Sequence, residues 1–139
     1  MNREMSEIIR NQTPVTLPPT ASVREACRQM HERGIGAVLV TDPGGRLIGI
    51  FTGRDAVRVV AEAKDLGSTG LDAVMTRDPA CMPARSTAIE ALRLMRDGGF
   101  RHVPVVEGGR VAGIVSRGDF RGLEQDRLDE ETGIWERMR

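Results

Sequence analysis

Two stretches of this chain carry a hydroxyl and a carboxylate at the same spacing. Gly49-Ile50-Phe51-Thr52-Gly53-Arg54-Asp55 and Gly113-Ile114-Val115-Ser116-Arg117-Gly118-Asp119 each run glycine, two apolar residues, a hydroxyl residue, two variable positions and aspartate. In each the apolar run reads as the end of a strand, and Thr52 or Ser116 stands where a helix would begin. Such a corner offers a carboxylate, a hydroxyl and backbone N–H donors together. It suits a ligand with hydroxyls and a phosphate. One carboxylate can hold a vicinal diol through two hydrogen bonds, each worth roughly 1.5–3 kcal/mol when charge-assisted. A plain structural reading stands beside this one. Both stretches are also capping boxes, in which the acid serves the helix start alone. The two roles are compatible.

Other reactive residues offer less. Cys27 and His31 lie four apart on a predicted helix. However, Cys27 belongs to its apolar stripe and no further ligands have a place, so no metal site is expected. Cys81 precedes Met82-Pro83 and reads as core. No Ser/Cys–His–acid set or Gly-rich phosphate loop is present, which argues against an enzyme acting on a nucleotide.

The elements that hold the corners come twice. Ser22-Val23-Arg24-Glu25 and Thr87-Ala88-Ile89-Glu90 read as capping boxes opening helices, which Gly34 and Gly99 close. Ala37–Thr41 and Leu47–Phe51 read as strands around Asp42-Pro43-Gly44-Gly45; Val103–Val106 and Val111–Val115 repeat them around Gly108-Gly109. Pro14 matches Pro79, Glu25 matches Glu90 and Met30 matches Met95; past the turn, Arg46 matches Arg110 and Asp55 matches Asp119 with one residue fewer between them. Each unit of about 50 residues is too small to bury its own core well, so the copies are expected to pack together. The segments read as a docking helix at 1–12, a first motif at 13–66, a linker at 67–70, a second motif at 71–123 and a polar tail at 124–139. The helix after Thr52 is expected from about Asp55 to Asp65.

Composition sets bounds on partners. The formal net charge is zero and aromatics make up 3%, which argues against nucleic-acid binding. No apolar run reaches the roughly 18–20 residues of a membrane span. Two cysteines and no secretion-signal pattern point to the cytoplasm.

The order strand, S/T-x-x-E helix, glycine, apolar strand, turn and G-h-h-[ST]-x-x-D resembles a tandem pair of CBS domains, the modules named after cystathionine β-synthase. Arg101-His102-Val103-Pro104-Val105-Val106 is similar to the family's second strand. The resemblance covers about Thr13 to Leu123. It implies an α+β fold of two β-α-β-β-α motifs around a pseudo-two-fold axis, with two clefts. It further implies a stand-alone regulatory module rather than an enzyme, with no cofactor required. The implied ligand is AMP, ADP, ATP or another adenosine derivative such as NAD(H) or S-adenosylmethionine. By the same resemblance, Asp55 and Asp119 accept from ribose hydroxyls, Thr52 and Ser116 lie near ribose or phosphate, and Ile50 and Ile114 pack on adenine. The cleft of Asp119 is implied to include Val15 and Ala37, and that of Asp55 to include Ala80 and His102.

The copies differ where Arg101-His102-Val103-Pro104 stands against Gly36-Ala37-Val38-Leu39. The Asp119 corner, with Arg101, His102 and Arg117 near it, is therefore expected to hold phosphate better. For His102, a partly buried core or rim position is the competing reading. The helix after Thr52 is apolar over most of its circumference through Ala56, Val57, Val59, Val60, Ala61 and Ala63. That predicts burial on a second side, in a homodimer formed through these helices. The tail carries Trp135, expected to dock on the core, with a partner contact as the alternative. An unidentified regulated protein completes the expectation; an interaction module without ligand is the alternative.

Overall fold

The computed structural model describes residues 3–120. The expected tail from 124 and its Trp135 lie outside the described residues. The elements run α1 Met5–Ile8, β1 Thr16–Leu17, α2 Val23–Arg33, β2 Ala37–Thr41, β3 Leu47–Thr52, α3 Gly53–Ala61, β4 Thr76–Arg77, α4 Ala88–Gly98, β5 His102–Glu107 and β6 Arg110–Ser116. Single 3-10 turns occur at Leu71–Ala73 and Arg117–Asp119. The chain gathers into two compact bodies. One comprises Thr13–Ala80 with Gly108–Val111; the other holds residues 3–12, 81–107 and 112–120 of the described chain.

In the first body the sheet order is β1-β2-β3-β4, with β1 and β2 parallel and the other pairs antiparallel. Helix α2 opens where Ser22 accepts the Glu25 N–H at 3.1 Å, and closes at Gly34 in the left-handed region (φ 63°). The expected capping box is only half formed. Glu25 turns instead to Gln29 and Arg28, the partners available one turn on. Val23, Ala26 and Met30 of α2 pack with Val38, Val40, Phe51 and Val59. β2 is buried on both faces from Ala37 to Val40.

Helix α3 ends at Ala61, not at Asp65 as the sequence suggested. Ala63 takes a positive φ of 56°, and the Lys64 N–H reaches back to the Val59 carbonyl at 3.2 Å. This is the left-handed helix ending that usually recruits glycine. Its arrival without one hid the stop. The Gly67–Gly70 stretch, expected as a linker, is a tied turn. Asp65 Oδ1 accepts the N–H groups of Gly67 and Ser68, both at 2.9 Å, while the Val23 N–H donates to the Thr69 carbonyl. The hydrogen bonds from Ser68, followed by that from Gly67, hold the carboxylate of Asp65 below its ordinary pKa.

The second body repeats the plan. Thr87 accepts the Glu90 N–H at 3.3 Å, and Gly99 ends α4 with φ 71°. Ala88, Ala91, Leu92 and Met95 pack with Val103, Val105 and Val115. Cys81, expected as core, is exposed instead, because only Met82 of its segment bridges to the sheet, at Val105.

Of the segment expected as a docking helix at 1–12, only Met5–Ile8 is helical (α1) among the described residues, and it repeats the turn at Leu71–Ala73. In the first body Leu71 and Met75 line the core, Val23 N–H donates to Thr69 and Leu71 N–H donates to Ala21. In the second body Met5 and Ile9 line the core, Ala88 N–H donates to Arg3 and Met5 N–H donates to Ser86. The two bridges Ser22↔Gly70 and Glu4↔Thr87 are likewise equivalent. The segment leading the first repeat thus completes the core of the second, and the segment leading the second completes the first.

Candidate functional site

Of the residues singled out from the sequence, Val15, Ala37, Ile50, Thr52, Asp55 and Ala80 belong to the first body. Arg101, His102, Ile114, Ser116, Arg117 and Asp119 belong to the second. In the first body β3 delivers Thr52 to the start of α3, with Ala37 as its cross-strand partner and Ile50 opposite Leu39. Ile50 is buried, Val15 gives its carbonyl to the Leu39 N–H, and Ala80 is exposed.

Both corners are closed capping boxes. Asp55 Oδ2 accepts the Thr52 N–H at 2.9 Å and the Thr52 hydroxyl at 3.1 Å, and the Asp55 N–H returns to that hydroxyl at 3.4 Å. Asp119 Oδ2 accepts the Ser116 N–H at 2.7 Å and its hydroxyl at 3.3 Å. Asp55 and Asp119 close their boxes, whereas the Glu25 carboxylate is taken up by Arg28 and Gln29. The cap uses one carboxylate oxygen and fixes the plane of the other. A fixed plane lowers the ordering cost of any second bond to that group.

The backbone donors expected at these corners are largely occupied. The Gly53 N–H donates to the Gly36 carbonyl at 3.0 Å, and the Arg117 N–H to the Arg101 carbonyl at 2.9 Å. Thr52, Ser116 and Asp55 N–H groups belong to the caps. A phosphate at either corner must therefore rely on side-chain cations more than on the helix start.

The corners differ in the cations beside them. Arg58 donates to the Val74 carbonyl at 2.7 Å and reaches Asp55 Oδ1 at 3.5 Å. Asp55 is largely shielded there, its side chain 15% exposed. Arg58 was not among the residues singled out from the sequence; its spacing of three from Asp55 is the signal that could have revealed the contact. In the second body Asp119, Arg101 and Arg117 are exposed and His102 is half-buried. Burial pushes the His102 imidazole below its usual pKa; the Asp119 charge opposes this and Arg101 reinforces it. Gln12 also enters here, its Oε1 accepting the Ile114 N–H at 2.9 Å.

No group of three or more metal-ligating side chains occurs among the described residues. Nor is any described helix long and apolar enough to cross a membrane.

The CBS domain family profile matches residues 5–62 and again 71–125. The CBS domain-containing protein CBSCBSPB1 of Arabidopsis thaliana is 39% identical over 102 residues, 73% of this chain and 19% of that protein. The chain thus spans about a fifth of the length of the curated relatives it matches first. Among solved structures, the CBS-domain containing protein ATU1752 from Agrobacterium tumefaciens is 38% identical, with a TM-score of 0.77 over 84% of this chain and 94% of that one. PAE2072 from Pyrobaculum aerophilum, a CBS domain protein complexed with AMP, is 26% identical, with a TM-score of 0.83 over 91% of this chain and 98% of that one.

Proposed function

The chain belongs to the CBS-domain family as a tandem pair, and from that premise we propose that it is a non-catalytic module sensing an adenosine-containing ligand. The observation that carries this reading is the pair of carboxylates, Asp55 and Asp119, each anchored at Oδ2 by its own cap. The AMP complex of PAE2072 supports the ligand class. In this reading the unanchored side of each carboxylate takes the ribose diol. Ile50 and Ile114 meet the base, and Arg101 and Arg117 meet the phosphate at the Asp119 corner. The Asp55 corner first has to release Arg58, so it binds more weakly. Occupancy favours one conformation over another, and a regulated protein reads the difference.

Thermal melting in AMP, ATP, NADH and S-adenosylmethionine tests the ligand. One of them at about 100 times its dissociation constant stabilises by roughly 2.7 kcal/mol, several degrees at this size. Asp119→Ala weakens that ligand at least about tenfold, the loss of one charge-assisted bond, and Asp55→Ala weakens it less. The absence of a shift with all four ligands would refute the proposal in favour of a ligand-free interaction module. Release of product on incubation would make the protein an enzyme instead.

The partner surface is on α3. Val59 is fully buried, whereas Val57 and Val60, three apart, remain 70% and 63% exposed. The second apolar side expected of this helix is therefore present and uncovered, and in our proposal a second copy covers it. Sedimentation should give a dimer at micromolar concentration, and the double substitution Val57→Glu, Val60→Glu a folded monomer. A wild-type monomer would remove this part of the proposal.

A further inference from the structure

Arg46 and Arg110 occupy the same position in the two repeats, and the structure sets them opposite one another as an antiparallel bridge. The bonds flanking them run from the Leu47 N–H to the Gly109 carbonyl at 3.1 Å and from the Val111 N–H to the Gly45 carbonyl at 3.4 Å. Neither arginine takes part in that exchange, so the pair is of the close, non-hydrogen-bonded kind, with Cβ atoms roughly 4.5–5.5 Å apart. Both side chains are exposed, and both belong to the first body, which includes Gly108–Val111. Like charges set directly opposite one another are destabilising.

The nearby acids do not relieve this. Asp42, in the same turn as Arg46, gives Oδ1 to the N–H groups of Gly44 and Arg46 at 2.9 and 3.0 Å. Glu107, at the turn before Arg110, gives Oε1 to the Ala84 N–H at 2.6 Å. Neither guanidinium forms an ion pair with a carboxylate among the described residues. The turn also makes room for one of them. Nη1 of Arg46 lies 2.7 Å from where a Cβ on Gly109 would stand, so the guanidinium rests over a bare glycine.

We propose that Arg46 and Arg110 form an oxyanion site for a doubly charged phosphate group of a small molecule, separate from the Asp55 and Asp119 corners. Two forked guanidinium groups at cross-strand distance match tetrahedral oxygens through paired N–H bonds. A dianion neutralises both charges, whereas a single carboxylate answers only one. The site does not depend on the adenosine reading.

The test uses the full chain and inorganic pyrophosphate at matched ionic strength. Wild-type protein should melt about 3 °C or more higher in pyrophosphate than in chloride. Arg46→Gln and Arg110→Gln should each lose most of that gain. In low-salt chloride each should melt at or above the wild type, because repulsion is relieved. Arg85→Gln, at another exposed arginine, controls for net charge and keeps the gain. An undiminished pyrophosphate gain in the Arg46→Gln, Arg110→Gln double variant overturns the assignment. So does a wild type that responds to a poly-glutamate peptide but not to pyrophosphate.

Discussion

Met5→Ala should destabilise this protein by about 2–5 kcal/mol, although it lies within a few residues of the chain start. Terminal residues usually tolerate truncation because little holds them. Met5 is different, being 0% exposed within a core that includes Ala88, Leu92, Val103 and Phe120. Its backbone is tied as well, the Met5 N–H to Ser86 at 2.8 Å and the Ser6 N–H to Ala84 at 2.9 Å. Removing the side chain leaves a cavity that α1, so held, cannot collapse to fill. Urea unfolding of the ligand-free protein measures the loss, and the thermal midpoint should fall by roughly 10 °C. Ser6→Ala, at an exposed neighbour, should change little. A Met5→Ala cost below about 1 kcal/mol would mean that the N-terminal segment is no part of the second core.

The role of that segment was only half legible in the sequence. Residues 1–12 were expected as a docking helix, but the register of the repeat appeared to begin at Pro14. Met5, Ile8 and Ile9 have the same three-then-one spacing as Leu71, Val74 and Met75, and the structure gives the two sets the same packing and bridges. One extra residue between Ile9 and Pro14, relative to Met75 and Pro79, shifts the alignment and conceals the match. Nor can periodicity say which core a segment joins, and here each leading segment serves the other repeat's core. Elements with strong local signals were legible. β2 was expected over Ala37–Thr41 and is found there, since an apolar run between a glycine stop and an Asp-Pro-Gly turn leaves little choice. Gly34 and Gly99 end their helices as expected.

At the corners, the hydroxyl-to-aspartate cap was readable because it is local. The occupation of the Gly53 and Arg117 N–H groups was not, because their acceptors, Gly36 and Arg101, arrive from the start of the preceding strand. Arg58 escaped notice for a related reason: its second anchor, the Val74 carbonyl, is 16 residues away.

The equivalence of the two leading segments makes a second, sharper demand on the glycines they cover. Gly113→Ala should cost about 3 kcal/mol and Gly49→Ala clearly less, though the positions are repeat equivalents. A Cβ at Gly113 would stand 2.7 Å from both Cβ and Cγ2 of Ile9 and 3.0 Å from Gln12 Oε1. Ile9 is β-branched and meets the new methyl at its first side-chain carbon, so only a backbone shift of the 3–12 segment relieves the clash. That shift also breaks the Gln12 bond to the Ile114 N–H, leaving a strand donor unpaired. At Gly49 the new methyl meets Met75 instead, at its sulfur and at Cγ, 2.9 Å away. Methionine has three rotatable bonds and can swing its thioether aside at modest cost. Urea midpoints of the two variants decide the matter. Equal losses would show that Ile9 yields as easily as Met75, and that the N-terminal segment lies loosely on β6. The unequal result carries a further consequence for binding, since Ile114 and Ser116 follow Gly113 on the same strand. Gly113→Ala should then weaken whatever the Asp119 corner binds, while Gly49→Ala leaves that corner's affinity unchanged.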